Sequence, residues 1–358
     1  MIQYIIRRLL TMIPALIGVI FLVFVMARLL PGDPCIAALG ERATEQICND
    51  FNARYGLDEP IPLQFVLYMG QLARFDLGDS IRQGRPVADI LVERLPTTIE
   101  LAFYALLFAS VIGISLGLAA ALRRNSKTDV STMMIATLGV SIPIFVLALL
   151  LQFIFAVLLR GTIFQLPPSG RLSPGQQFMT IPEAWGLTDL EGLPRVVLDF
   201  LSNIYTFNFL ITFQWENLLD ATQHLILPVI ALGTISLAII ARITRSSLLE
   251  VLGLDYIRTA RAKGVSDRNV IRRHAFRNAM LPVVTIIGLQ LGLLLAGAVL
   301  TETIFNLTGV GKTMFDAIQG RDFIVVQAFT IIIALIYLTM NLVVDISYAF
   351  LDARIRLD

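Results

Sequence analysis

Six stretches of the chain contain no Asp, Glu, Lys or Arg and are long enough to cross a lipid bilayer. A transmembrane helix needs about 20 largely apolar residues, and the stretches that meet this requirement are 9–27, 101–122, 130–159, 221–241, 278–301 and 323–344. Backbone polar groups within a bilayer must be satisfied inside their own segment, so each stretch is predicted to be helical. The pattern therefore predicts an all-α integral membrane protein with six transmembrane helices.

Two stretches need a closer interpretation. The first follows Arg7 and Arg8, as a secretory signal does, but its apolar run exceeds the roughly 7–15 residues of a signal core and residues 29–32 offer no cleavage site. We interpret it as an uncleaved span. A seventh charge-free stretch, 200–215, is short and interrupted by polar residues. We interpret it as an aromatic segment at the outer membrane surface, with an additional span as the alternative.

Composition agrees with a membrane protein and argues against an enzyme. Of the 358 residues, 56% are hydrophobic and 15% are charged, whereas about a quarter are charged in a typical soluble domain. With two cysteines and two histidines, a thiolate-rich or histidine-rich metal site is not expected. The sequence also contains no recognisable nucleophile–base set and no paired-carboxylate motif, so we expect no catalysis by this chain alone.

The distribution of basic residues predicts the orientation. Cytoplasmic connections are enriched in Lys and Arg, and a cytoplasmic N-terminus places the short basic connections on one side. Six spans then put the C-terminus, with Arg354 and Arg356, on the same side. Two long segments, 28–98 and 160–220, fall outside.

Residues 242–282, here called the basic loop, separate the fourth and fifth stretches. The loop holds nine basic residues and three acids. Gly264 ends a short predicted helix, where a left-handed residue is often needed, and Ser266 and Asp267 begin a second helix. This arrangement predicts a docking element for a cytoplasmic protein. Binding to anionic lipid head groups is the alternative; it explains the charge, but not the glycine or the small residues Ala260 and Ala262.

The basic loop contains the runs YIRTARAKG at 256–264 and HAFRNAMLP at 274–282. These two runs resemble the coupling loop of ABC-importer permeases, in the dipeptide, oligopeptide and nickel branch. The generic importer loop begins Glu-Ala-Ala, and Arg258, Thr259 and Ala260 stand there instead, as in this branch. Further runs resemble the same branch: PGDP at 31–34, YGLDEP at 55–60, FDLGDS at 75–80 and LPPSGR at 166–171. The chain most resembles the first permease of the peptide-importer pair.

The resemblance implies a type I importer fold with both termini inside. A first part, 1–98, would contain the first transmembrane helix and an extracytoplasmic segment. A core permease domain, 99–358, would contain five transmembrane helices, an external insertion at about 160–220 and the coupling loop at about 242–282. The coupling residues implied by the resemblance are Tyr256, Arg258, Thr259, Ala260, Arg261, Ala262, Lys263, Gly264, Asp267, Arg272, Arg273, His274, Arg277 and Asn278.

The same resemblance implies the partners and the location. They are a second homologous permease subunit, two ABC ATPase subunits and an extracytoplasmic solute-binding protein, in the cytoplasmic membrane of a bacterium or archaeon. The lipid bilayer surrounds the chain, and no nucleic-acid partner is expected. We expect no cofactor in this chain, because ATP and magnesium would bind to the ATPase subunits. Dipeptides or oligopeptides are the expected solutes, and nickel chelates or glycosides are alternatives.

The apolar stretches also bear on the energy source. Carriers driven by protons or sodium usually hold carboxylates near the membrane midplane, and the central parts of these stretches contain none. This argues against an ion-coupled secondary transporter, which is the alternative function. A few positions within the stretches are candidates for lining a translocation pathway, and ordinary interhelical hydrogen bonds are their alternative role. They are Ser141, Pro143, Gln152 and Gln290.

Two further patterns lie in the predicted outer segments. Residues 306–313 resemble a phosphate-binding loop, but Asn306 replaces the first glycine, no strand precedes it and the site is extracytoplasmic. We therefore do not expect nucleotide binding there. Cys35 and Cys48 lie in a compartment that permits disulfides, and the sequence leaves open both a bridge and two buried free thiols.

Overall fold

The computed structural model describes residues 2–29, 35 and 43–351, and within them it contains helices and no β-strand. The helices are α1 (Ile2–Leu29), α2 (Glu45–Tyr55), α3 (Ile61–Ala73), α4 (Val87–Leu122), α5 (Lys127–Ser141), α6 (Ile144–Gln152), α7 (Ile181–Ala184), α8 (Leu193–Ser202), α9 (Tyr205–Ile211), α10 (Trp215–Leu252), α11 (Asp255–Ala262), α12 (Asp267–Asn269), α13 (Arg277–Ile304), α14 (Val310–Gln319) and α15 (Phe323–Leu351). Wider π-type turns continue α6 over Phe153–Leu158 and join α12 to α13 over Val270–Phe276. The all-α prediction is confirmed. The PGDP run at 31–34 and the basic tail with Arg354 and Arg356 lie outside the described residues.

Among the described residues, five helices are long and apolar enough to cross a membrane. They are α1, α4, α10, the helix that runs from α12 into α13, and α15. The third predicted span, 130–159, is broken into α5 and α6, with a bend of 102° between them. The break follows from Pro143, which lacks an N–H and disfavours a helical conformation in the residue before it. Ile142 is accordingly extended, with φ −82° and ψ 121°.

Helices α4 and α10 form the centre of the bundle. Small residues line their contact: a Cβ added to Gly113 would lie 2.9 Å from the Leu237 carbonyl oxygen, and one added to Gly233 would lie 2.8 Å from that of Ala105. Such positions let helix backbones approach closely in a membrane. The small-residue face of α4 is therefore covered by α10 of the same chain. Helix α13 packs on α10 and α15, and α1 packs on α15.

Two outer segments cap the bundle at its predicted extracytoplasmic end. Near the first, Phe65 of α3 packs edge-on against Phe24 of α1, and a disulfide joins Cys35 to Cys48 with Cα atoms 5.4 Å apart. The stretch 200–215 forms the end of α8, then α9 and the start of α10, and it is not a separate span.

A buried ion pair fastens the second outer segment to the bundle. Arg171 Nη2 lies 2.9 Å from Glu100 Oε2 of α4, and the Arg171 guanidinium lies 3.5 Å above the Tyr205 ring. Glu100 also accepts hydrogen bonds from the backbone and hydroxyl of Thr206. The outer segment is thus held to α4 through a charged group that is almost fully enclosed.

Candidate functional site

The basic loop is fixed to the bundle by an apolar underside. Ile257 of α11 and Val270 of the following turn are fully buried, and they pack in one cluster with Leu248 of α10 and Ala121 of α4. Ala275 and Ala279 complete the cluster from the start of the next transmembrane helix. Three membrane helices therefore meet beneath the loop.

The opposite side of the loop is exposed and basic. Most coupling residues implied by the sequence face outward from the bundle; they are Tyr256, Arg258, Thr259, Arg261, Ala262, Lys263, Gly264, Asp267, Arg272, Arg273, Arg277 and Asn278. Ala260 and His274 are half-buried. Ala260 packs against the apolar underside, so of the two alanines only Ala262 is free to contact a partner closely.

Gly264 forms the corner between the two helical parts of the loop. Its φ is +77°, and a Cβ added there would meet no other atom within 4 Å. The Val265 N–H donates to the Ala260 carbonyl at 3.2 Å, which closes the end of α11 as a glycine-terminated helix does. Backbone conformation, and not crowding, is thus the reason for glycine at this corner.

Polar contacts fix the angle between the two parts of the loop. Asn278 Nδ2 donates to the Tyr256 hydroxyl at 2.7 Å, and that hydroxyl donates to the His274 carbonyl at 3.3 Å. Arg261 Nε donates to Asp267 Oδ1 at 3.2 Å across the corner. Ser266 caps the second part through its backbone carbonyl, which accepts from Val270, and not through its side chain.

Arg245 belongs to the basic loop by sequence but is already used within the chain. Its Nε and Nη2 donate to the two carboxylate oxygens of Asp129 at 2.6 and 2.8 Å. Asp129 is buried and also accepts from the Asn125 N–H at 3.0 Å. The charge of Arg245 therefore ties α10 to the first turn of α5.

The chain matches known proteins over almost its whole length. Residues 113–357 match the family described as the binding-protein-dependent transport system inner membrane component, and residues 1–102 match the model for the N-terminal part of such membrane components. The chain belongs to this family. It is therefore a multi-pass membrane protein and a transport subunit without a cofactor of its own.

Curated relatives cover the chain end to end. The dipeptide transport system permease protein of Alkalihalophilus pseudofirmus is 43% identical over 99% of this chain and 100% of its own length. The di/tripeptide transport system permease protein of Pseudomonas aeruginosa is 43% identical over 99% of each chain. The glutathione transport system permease protein of Salmonella paratyphi A is 36% identical over 99% of each.

The four pathway candidates do not form one site. Gln152 Nε2 donates to the carbonyls of Pro168 and Ile304 at 2.7 and 3.2 Å. Gln290 accepts a hydrogen bond from Ser236 of α10 at 3.0 Å. Gln290 precedes Ile304 by 14 residues in α13, so the two positions lie about 21 Å apart along the helix. Ser141 donates to the Thr137 carbonyl of its own helix, and Pro143 lies at the break. Their role in a pathway stays a prediction.

Sequence reasoning missed a buried carboxylate at the outer end of α13. Glu302 is fully buried, beyond the apolar part of that helix. Its Oε1 accepts from the Thr98 hydroxyl at 2.6 Å and its Oε2 from the Lys312 N–H at 2.9 Å, while the Val310 N–H donates to Thr98 Oγ1 at 2.8 Å. Burial raises the pKa of Glu302 to about 7, and the hydrogen bonds from Thr98 and Lys312 oppose the shift.

This carboxylate explains the loop that resembles a phosphate-binding sequence. The Gly311 and Lys312 amides in the first turn of α14 donate to Glu302, and a Cβ added to Gly309 would collide with its carboxylate. The glycine-rich turn therefore surrounds an acidic group of the protein itself. An apolar run that ends in a glutamate, followed by a glycine-rich turn, was the available signal in the sequence.

Proposed function

We propose that this chain is a permease subunit of an ATP-driven importer that carries dipeptides and other short peptides across the cytoplasmic membrane. Full-length similarity to transporters named for dipeptides, di- and tripeptides and glutathione supports peptides as the solute class. Nickel chelates and glycosides receive no comparable support from these relatives. Family membership does not favour the ion-coupled secondary transporter.

In the complete importer, this chain would have four kinds of partner. A second permease would complete the membrane pathway, two ATPase subunits would bind ATP and magnesium, and an extracytoplasmic binding protein would deliver the peptide. The lipid bilayer would surround the apolar helices. The chain itself would hydrolyse nothing, which agrees with the absence of recognisable catalytic motifs in its sequence.

One observation carries the coupling mechanism: the exposed basic face of the loop is mounted on a buried cluster that joins the ends of α4, α10 and α13. ATPase closure would push on the exposed face, and the cluster would pass that displacement to the three helices. Because the loop has apolar contacts beneath it and polar contacts across its corner, it would move as a rigid body. A ligand or partner that favours one arrangement in this way biases a two-state membrane element.

The Arg245–Asp129 ion pair extends the displacement to the broken span. Asp129 lies in the first turn of α5, so movement of α10 would also pull on α5 and on the bend at Pro143. A helix that is already broken can change its bend angle without losing further backbone hydrogen bonds. The bend is therefore where we expect the pathway to alternate between inward and outward access.

Reconstitution tests this proposal. The chain is co-expressed with its permease and ATPase partners, purified and placed in liposomes with binding protein and radiolabelled dialanine on the outside-equivalent face. We expect uptake that requires ATP and binding protein and is insensitive to dissipation of proton and sodium gradients. Uptake that follows an ion gradient without ATP would contradict the proposal.

A further inference from the structure

A polar cavity of about 520 Å³ opens on the predicted outer side, where the segment before α4 meets α14 and the start of α15. Its walls include the charged residues Arg82, Arg94, Lys312, Asp316 and Asp322. Gln83, Thr308, Thr313 and Gln319 add neutral hydrogen-bonding groups. The volume lies within the roughly 300–1,000 Å³ that small-molecule sites usually occupy.

The two acids in the cavity already have hydrogen-bond or ion-pair partners within the protein. Buried Asp322 accepts from the Ser80 hydroxyl at 2.5 Å and from the backbone N–H groups of Ile81 and Arg82 at 3.3 and 3.2 Å. Asp316 lies 2.9 Å from Lys312 Nζ in an ion pair one helical turn apart. Among the described residues, neither carboxylate lies within ion-pair distance of the Arg82 or Arg94 guanidinium.

The two arginines retain unused hydrogen-bonding capacity. In the part of the chain that the structure describes, the Arg82 guanidinium has neither an ion-pair nor a hydrogen-bond partner. Arg94 Nη2 lies 3.9 Å from Glu93, beyond hydrogen-bond distance, and Glu93 is itself held by two hydrogen bonds from Arg85 at 2.6 and 2.7 Å. A guanidinium offers five N–H donors in a planar fork that matches a carboxylate.

The position of Arg82 is built into the fold. Asp322 anchors the turn that carries Arg82, and the Ser80 N–H donates to the Arg85 carbonyl at 2.9 Å to close that turn. The guanidinium lies over Gly320 at the end of α14, where an added Cβ would collide with Nη1. Glycine there makes room for the arginine, and the cation lies beside the negative end of a helix dipole.

We propose that this cavity binds the terminal carboxylate of a peptide solute, with Arg82 and Arg94 as its ligands. The proposal rests on the proposed import function and adds a solute subsite in the permease itself. The concave shape favours a small solute over an acidic side chain of a docked protein, which would fill little of the volume. The neutral side chains along the wall would bind the peptide backbone.

Binding is measured on the assembled permease–ATPase complex in nanodiscs, without ATP and without binding protein. The probes are radiolabelled dialanine and dialanine amide, followed by equilibrium dialysis. We expect dialanine to bind and its amide to bind about tenfold more weakly, because a charge-assisted pair is lost. Arg82→Gln and Arg94→Gln should each weaken dialanine binding about tenfold and leave binding of the amide unchanged. Arg160→Gln, an exposed outer position outside the cavity, is the matched control.

Three outcomes would overturn the subsite. Equal binding of dialanine and its amide would show that the carboxylate is not recognised. Unchanged dialanine binding by both arginine variants would place recognition elsewhere. If the variants instead lose affinity for the binding protein while dialanine binding persists, the arginines dock that protein. If Arg94→Gln does not assemble, Arg82→Gln in the exposed turn decides alone.

The same preparations separate failure of the subsite from failure of the proposed function. ATP-driven uptake by the wild-type complex tests the function with binding protein present. Dialysis tests the subsite without ATP. Intact uptake with no dialanine binding to the nanodisc complex overturns the subsite alone, and absent uptake with carboxylate-selective binding overturns the import function alone.

Discussion

Arg245 and Asp129 lie 116 residues apart in sequence and form a two-pronged ion pair, with N···O distances of 2.6 and 2.8 Å. The Asp129 side chain is 5% exposed and the Arg245 side chain 26%. A pair of this kind joins the helix that enters the basic loop to the first turn of the broken span. It is therefore a structural contact through which we expect movement to pass between them.

Removing one member of this pair should uncouple the transporter. Asp129→Ala leaves the Arg245 cation without its partner, and we expect a loss of about 2 kcal/mol in stability, less than for a fully buried pair because Arg245 is partly exposed. ATP-dependent dialanine uptake should fall more than ATP hydrolysis. The thermal midpoint in detergent and the ratio of uptake to hydrolysis provide the measurements. Arg245→Ala should have the same effect, and combining the two changes should cost less than their sum; strict additivity would show that the pair carries no coupling.

Gly264 should tolerate asparagine better than valine. Its φ of +77° disfavours side chains in general, by roughly 1–2 kcal/mol, and β-branched residues most of all. Asparagine is among the residues that adopt this region most readily. We expect Gly264→Val to insert normally and to hydrolyse ATP without matching uptake, while Gly264→Asn keeps most of its transport. Because no atom crowds this position, equal defects in both variants would indicate that contact with a partner, not backbone conformation, requires the glycine.

Charge reversal on the exposed face should detach the ATPases. Arg261 and Arg273 are both exposed, and Glu at each position would place an anion where a partner surface is expected to be complementary. We expect co-purification of the ATPase subunits with the variants to fall, and co-purification with the wild type to weaken as salt is raised. Arg160→Glu, on the outer side, controls for the change in net charge. Undiminished co-purification together with weaker binding to anionic vesicles would favour the lipid alternative.

Glu302 should make stability depend on pH. Its pKa rises from 4.5 to about 7 on folding, so between these values the folded chain holds a proton that the unfolded chain has lost. Stability should therefore fall as pH rises from about 4.5 to 7 and level off above 7. Glu302→Gln removes this titration, so the difference in thermal midpoint between wild type and variant should change with pH across that window. A constant difference from pH 5 to 8 would show that Glu302 keeps one ionisation state.

The apolar pattern predicted the helical class and the spans because the bilayer imposes a length and a polarity on each of them. The same pattern could not show that 130–159 is bent, since Pro143 permits either a mild kink or a full break and the neighbouring helices decide between them. Gly264 was predictable for a different reason. A left-handed helix end is a local requirement, and its sequence signal is local too.

The sequence pattern could not predict which distant residues contact one another. By sequence Arg245 belongs with the cations of the basic loop, yet Asp129 in the first turn of α5 neutralises it. Glu302 ends an apolar run before a glycine-rich turn, but the pattern cannot show its burial against Thr98, which comes from a distant segment. Ala260 shares a short helix with Ala262, and only the packed structure shows that it faces inward. In each case the fold supplies the neighbour that decides the role.

The glycine-lined contact between α4 and α10 has a mechanical consequence. Gly113, Gly117 and Gly233 bring the two backbones into close contact, and the Ile240 and Phe108 side chains pack directly over Gly113 and Gly233. The two helices should thus move as one rigid unit, with the Glu100–Arg171 pair at its outer end and the basic loop at its inner end. A displacement of the inner ends of α4 and α10 would then displace the outer segments at the same time, without intermediate rearrangements.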